Sequence, residues 1–478
     1  MKEPYSRKES AWARMDEKER KETLAYGERY KAFLDKARSE RLAVKEILAQ
    51  AEAAGFKPLY EAETLKPGDK VYWNQKGKAC ILAVIGKEPV HEGLKIVGSH
   101  IDSPRLDLKG NPVHEQDGVV YFRTHYYGGI KKYQWPCIPL ALVGVIHTKE
   151  GKKIEVNIGM DEKDPVFYIT DLLIHMAQDQ MKKTLAEGVT GEQLQAVIGT
   201  HTDKDKKVKD ALMDLLKETY GVEEEDFTTA ELELVPALKS RDVGFDRSLI
   251  AGYGQDDRVC SYANLEAILD ARAGEKTQAA LFADKEEIGS YGNTGMQSSY
   301  FAKFVMKLLA LQNRGTLLDF YETMENSEML SGDVNSCLDP MFPEVTEKDN
   351  SALLGYGVAL TKYTGARGKG GSNDANSEFI QKIRTIFNDA GVAWQIGELG
   401  KVDQGGGGTI AYMLADWGCE VVDCGTAMLS MQDQRNIQNF CLQFCIFSIR
   451  TKHKKDILCK GKSLLRITDK EGFIFSEM

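Results

Sequence analysis

Several short stretches of the chain carry side chains able to bind a cation or move a proton. In GSHIDSP, His100 and Asp102 stand two residues apart at the end of an apolar run. A strand entering a loop places residues i and i+2 on one side, so an imidazole ligand and a carboxylate that orients it would sit together. The plain alternative is a surface loop with an accidental His-x-Asp. In GQDDRVC, Asp256 and Asp257 precede a predicted helix. Adjacent carboxylates there either cap the helix and complement its dipole or bridge two divalent cations. ADKEEIGSYGNTG brings Asp284, Glu286 and Glu287 where the apolar strand Ala279–Phe282 should end, with Gly289, Gly292 and Gly295 allowing backbone close to a ligand. One of these glutamates can bind metal while its neighbour acts as general base for a metal-activated water.

Two further stretches are weaker on their own. Asp333 in SGDVNS reads as a turn. The tetraglycine of GKVDQGGGGTIAYML either presents backbone N–H groups to an anion or is a flexible turn. It lacks the lysine of a P-loop and the spacing of a dinucleotide fingerprint. His125 and His175 taken singly read as structural. The chain has no HExxH, no GxSxG and no papain-like cysteine signature, which removes the zincin, serine and cysteine hydrolase readings.

The elements that must hold these residues follow from periodicity. Leu24, Tyr30, Phe33, Leu34, Ala37, Val44, Ile47 and Leu48 recur at helical spacing over 17–53, predicting an amphipathic helix or helix pair. Strands are expected at Cys80–Ile85 and Leu94–Val97. From 104 to 237 the character changes to short strands at Val119–Arg123, Leu140–Ile146 and Ile154–Ile158 and a helix over Val208–Tyr220, with Val208, Leu212, Leu215 and Leu216 on one face. Helix and strand then alternate: helices over 258–272, 299–312, 375–390 and 408–417, strands near 278–283, 392–397 and 420–423. This pattern predicts an α/β fold with a mixed, mainly parallel sheet flanked by helices. The catalytic domain is discontinuous, 1–103 and 238–431, around an inserted β-rich domain, 104–237.

At 478 residues the chain exceeds what one core usually serves. Its 42% hydrophobic and 28% charged content is that of a globular protein. A net charge of −10 argues against a nucleic-acid binder, whose footprint is a basic face. The charged N-terminus has no apolar core of the signal-peptide kind, and Ile138–Ile146 is far too short to span a membrane. Nine cysteines without a CxxC pair give no disulfide framework. These features predict a cytoplasmic, reduced protein without membrane or nucleic-acid partners.

Taken in this order, GSHIDSPRLD, DKEEIGS, SGD, NDANSE and CGTAMLSM resemble the aspartyl aminopeptidase and vacuolar aminopeptidase I family of cocatalytic zinc exopeptidases, from the N-terminal helices to about Met431. The resemblance implies a zinc-exopeptidase-like fold and removal of N-terminal residues from short peptides. It implies two zinc ions per chain, with cobalt or manganese as alternatives. His100 and Asp333 would hold one metal, Asp257 would bridge both, and Glu287 would bind the second. Glu286 would be the general base and Asp102 would orient His100. His175, Lys362, Asn373, Gly405 and Gly406 fall where the family shapes its substrate pocket, the histidine coming from the inserted domain and often from a neighbouring subunit; Asp171 falls where some relatives have a histidine. Relatives form dimer-based assemblies as large as a dodecamer, which makes the insert an oligomerisation domain.

One position departs from the pattern. After CGTAMLSM the family has a histidine that completes the second metal, and this chain has Gln432, a neutral amide and a poor zinc donor. The segment 432–478 loses the resemblance, gathers Cys441, Cys445 and Cys459, and turns basic in TKHKKDILCKGK. A change of reading frame or a diverged tail both account for it. Either weakens the second site, with Gln432 or His453 as substitutes. A catalytically impaired member with an assembly role is thus the rival reading, and a two-metal phosphoesterase is a third.

Overall fold

The computed structural model describes residues 9–203 and 205–431, with the backbone of the short strands Asn436–Asn439, Arg466–Thr468 and Gly472–Ile474. Gln432, Cys441, Cys445, His453 and Cys459, on which the tail reading turns, lie outside the described residues. Contacts divide the chain into two units, one reaching Asp102 and resuming over Ser240–Met431, the other Ser103–Lys239.

The first unit is built on a nine-stranded sheet. Its strands are β1 (Lys57–Pro58), β2 (Lys70–Gln75), β3 (Ala79–Val84), β4 (Leu94–His100), β5 (Thr277–Ala283), β6 (Glu328–Ser331), β7 (Val358–Thr361), β8 (Trp394–Ile396) and β9 (Glu420–Gly425). They stand in the order β1-β2-β3-β5-β4-β6-β9-β7-β8. The central β5, β4, β6 and β9 are mutually parallel, and the joins to β3 and β7 are antiparallel. The sheet is therefore mixed, with a parallel centre.

Helices cover both faces: α1 (Glu17–Lys36), α2 (Glu40–Ala53), α3 (Gln255–Asp270) and α6 (Ser377–Ala390) on one side, α4 (Tyr300–Ala310), α5 (Leu317–Glu325) and α7 (Ala411–Ala415) on the other. Neighbouring residues of one strand serve opposite cores, because side chains alternate across a sheet. Cys80, Leu82, Val97, Ala280 and Phe282 join the first core, while Ile81, Ala83, Ile96, Ala279 and Leu281 join the second. That two-sided burial is why these strands read as unbroken apolar runs.

The expected helical stretch near the N-terminus is a pair. Asp16 and Glu19 cap α1 reciprocally, and the Ser39 hydroxyl accepts from the Leu42 N–H to start α2. Leu24, counted on the apolar face, is exposed at 41%. The helix expected over 408–417 is confined to Ala411–Ala415, since the glycines before it do not enter the helix. A smaller five-stranded sheet joins Arg241–Val243, Leu249–Gly252, Asn436–Asn439, Ala427–Leu429 and Asn335–Ser336.

The second unit holds a seven-stranded antiparallel sheet. Its core gathers Leu106, Phe122, Leu140, Leu142, Phe227, Leu232 and Leu234. The helix Val208–Tyr220 ends on Gly221 in the left-handed region, where glycine carries no Cβ penalty. Val208 is buried and Leu212 and Leu216 pack on the core, but Leu215, assigned to the same face, is exposed. Among the described residues no helix is long and apolar enough to cross a membrane.

Candidate functional site

The parallel strands β4, β5 and β6 deliver their carboxyl ends to one place. Strand β4 runs three residues beyond its predicted end, so His100 is its last residue, paired with Ala283 of β5. Glu286 and Glu287 follow β5 in a short turn entered through Lys285 in the left-handed region. Asp333 follows β6, whose Ser331 pairs with Gly98. Asp256 and Asp257 lie at the start of α3 but are not helical (φ −80°, ψ 107° and φ −118°, ψ 31°), and regular geometry begins at Arg258. Residues more than two hundred positions apart are thus gathered at one end of a parallel sheet, where ligands of open α/β sheets bind.

His100 is the hub. Its ring is buried, with Nε2 3.2 Å from the Asp256 carboxylate and 3.9 Å from Glu286, and Nδ1 3.4 Å from the Asp102 carboxylate and 3.1 Å from the Asp102 carbonyl. The Asp102 carboxylate also accepts the backbone N–H groups of Glu286 (3.1 Å) and Glu287 (3.2 Å). It therefore fixes both the imidazole and the glutamate turn. Ligand atoms of His100, Asp256 and Asp333 lie within 4.8 Å of one another, a grouping able to hold a metal ion.

The electrostatics mark a site short of positive charge. Burial pushes Glu286 up to about 7, a shift opposed by His100 and reinforced by Asp102, Asp256 and Asp423. Burial also raises Glu287, Asp257 and Asp333 well above the usual carboxylate range, each with a neighbouring acid adding to it. Burial alone would lower His100, but its bonds to Asp102 and Asp256 outweigh that and hold it well above an ordinary imidazole. A buried carboxylate keeps its charge only when paired with one of opposite sign. Among the described residues neither oxygen of Asp257 has a hydrogen-bond partner in place. Oxygen donors with one imidazole, crowded and undercompensated, suit divalent cations of the zinc, manganese or cobalt kind.

The grouping of ligand atoms takes in Asp256, the neighbour of the Asp257 that the resemblance makes the bridging residue. The non-helical backbone at this dipeptide aims the two carboxylates differently. Asp257 is buried close by, where His100, Asp333, the Cys260 thiol and Tyr30 all interact with its charge. The other predicted residues are placed variously. The Asn373 amide donates to the Val421 carbonyl at 2.7 Å, and Lys362 is exposed just after β7. A Cβ on Gly405 would stand 1.8 Å from the Leu399 carbonyl oxygen, and one on Gly406 2.4 Å from Ala366 backbone, so these glycines serve loop-to-loop packing. Gly295 is alike, since a Cβ there would meet the Ser290 carbonyl at 2.1 Å. His175 lies exposed on a turn of the second unit, where nearby Asp171 accepts from the Leu172 N–H and from Gln180.

Asp423 escaped the sequence reading. It is buried within β9, beside Ser331, and burial pushes it up to about 6 against the hydroxyls of Thr409 and Ser331. The signal was present as an acid following the apolar pair Val421–Val422 within EVVDCG.

Residues 33–443 match the aminopeptidase I zinc metalloprotease family, M18. A Clostridium acetobutylicum protein described as an M18 family aminopeptidase 1 is 50% identical over 430 residues, covering 88% of this chain and 92% of its own length. The crystal structure of an M18 aminopeptidase from Thermotoga maritima superposes with a TM-score of 0.89 at 41% identity, over 93% of this chain and 97% of that one. The structure of a yeast mApe1 dodecamer, 20% identical, shares the fold with a TM-score of 0.70 over 89% of this chain and 94% of that one.

Proposed function

Since the chain belongs to the M18 family of aminopeptidase I zinc metalloproteases, we propose that it releases N-terminal residues from short peptides at the cluster around His100. The observation that carries this is the convergence of His100, Asp256 and Asp333 with Glu286 and Glu287 alongside. In this reading His100 and Asp333 hold one cation, Asp256 is shared, and Glu287 serves a second. Asp257, the bridging residue the resemblance implies, is buried beside them. When bound, the cations supply Lewis-acid polarisation of the scissile carbonyl and a more acidic water. The chain's own residues do the rest. Asp102 holds the His100 ring and the backbone of the glutamate turn. Glu286 takes the proton of the attacking water on a carboxylate oxygen and returns it to the nitrogen of the leaving amine.

Zinc is the family's metal; two ions per chain, and cobalt or manganese as substitutes, are part of the proposal. Gln432 bears on how tightly the second ion is held. A homo-oligomer is supported by the exposed Leu172, Leu173, Ile174, Met176, Met181 and Leu185 of the inserted unit, an apolar stretch of the kind that marks association surfaces. The yeast relative's dodecamer sets the scale. Free cysteines throughout the described residues support a reducing, cytoplasmic setting.

The test is turnover of aminoacyl-p-nitroanilides by the full chain with zinc, cobalt or manganese. Hydrolysis that EDTA abolishes is expected. A folded protein that is silent with every metal favours the impaired reading, and phosphoester turnover in its place removes the peptidase assignment.

A further inference from the structure

Helix α3 grips the end of β4 through two side chains one turn apart. The Ser261 hydroxyl donates to the His100 carbonyl at 2.8 Å, and the Arg258 Nε–H donates to the Ile101 carbonyl at 3.1 Å. The next carbonyl, that of Asp102, faces His100 Nδ1 at 3.1 Å. The Ile101 N–H meanwhile donates to Ala283 at 2.9 Å, at the end of β5. The single residue between His100 and Asp102 is therefore held on one side by the strand leading to Glu286 and on the other by the helix leading from Asp256.

Arg258 is an expensive way to make one such bond. Its side chain is 1% exposed, and a guanidinium removed from water costs free energy unless its donors are used. Nη2 donates to the Arg38 carbonyl at 3.4 Å, the charge lies 5.5 Å from the Tyr253 ring centroid, and Nη1 has no partner among the described residues. Packing alone would be served by an apolar side chain. A planar, forked cation is suited to holding two backbone segments at a set spacing.

We propose that Arg258 is a positioning residue for the cation site: through the Ile101 carbonyl it sets the separation between the His100 imidazole and the Asp256 carboxylate, and so the affinity for the ion they share. The inference rests on reading this cluster as a cation site. Outer partners of metal ligands typically change affinity by about 10–100-fold when lost.

The experiment uses the full chain stripped with EDTA, comparing wild type, Arg258→Met and Arg258→Lys. Zinc Kd is read by competition with a chromophoric chelator, and the ligand field by the visible spectrum of the cobalt-loaded protein. Arg258→Met is expected to weaken zinc about 10–100-fold and shift the cobalt bands with its circular dichroism unchanged. Arg258→Lys keeps the charge but not the fork, and should lose less. Wild-type Kd and spectrum in both folded variants overturn the inference while leaving the cation site standing. A wild-type chain that binds neither metal overturns the cation reading and this inference with it. Where the methionine variant fails to fold, the lysine variant decides by the same two readouts.

Discussion

The two ends of the central sheet both bury charge, and they do so in opposite ways. At the amino ends of β4 and β6, Lys95 pairs with Glu328 across the register, and Lys382 from α6 reaches the same carboxylate. Each charge there has a partner: the ion pairs are 2.5 and 2.6 Å long. Burial would raise Glu328, but Lys95 and Lys382 more than reverse it and hold the carboxyl below its usual range, while burial pulls Lys95 down to about 8. Five residues further along β4 the balance is gone: His100 faces Asp102, Asp256 and Glu286, and burial drives Glu286, Glu287 and Asp333 upward. A charge cluster that serves only the fold closes on itself. One that serves a ligand is left open by the charge the ligand brings.

Breaking the open end should have the larger consequence. Glu286→Gln keeps the shape of the turn and removes the proton acceptor, so kcat should fall by about 10²–10⁴. Metal content, measured by atomic emission, should stay at the wild-type level. Near-full turnover by the variant would take the base role away from Glu286.

The pH response of the cation-free chain sharpens the contrast. Glu286 and Asp423 have folded pKa values raised to about 7 and about 6. The stability tied to a raised carboxyl is fully present below its unfolded value, near 4. It is lost as pH rises through the folded value. In EDTA the melting temperature should therefore fall between pH 5 and pH 8, and zinc should raise it most at the upper end. A melting temperature insensitive to zinc across that range would contradict the open cluster.

Breaking the closed end should cost stability alone. Glu328→Gln strands two lysines, and loss of one member of a buried pair destabilises by about 3 kcal/mol. Denaturant unfolding should show that loss while zinc Kd stays at the wild-type value. The smallest effect is expected from Gln432→His: a recovery of roughly 10-fold in affinity for the second ion, read as metal per chain at limiting zinc.

Much of the site is local in sequence and could be read there. His100 and Asp102 share a side because a strand end imposes a two-residue period, and Glu286 and Glu287 follow an apolar run that can only be a buried strand. The alternation of helix and strand, the helical stretch at the N-terminus and the β-rich character of the insert all rest on patterns within a few residues. The ordered motifs then carry the family, because no single one of them is specific.

Tertiary structure decided what depends on direction and on distant partners. Asp256 and Asp257 are chemically identical neighbours, and only the non-helical backbone around them determines which carboxylate meets His100. Arg258 reads as one more helical residue until its guanidinium is found on a carbonyl 157 positions earlier. That Gly405 and Gly406 must be glycine is visible only in the fold, where Leu399 and Ala366 backbone atoms occupy the space a Cβ would need. Residue types and local periods are properties of a short window of chain. The aim of a side chain, and the charge it must balance, are set by whatever the fold brings against it.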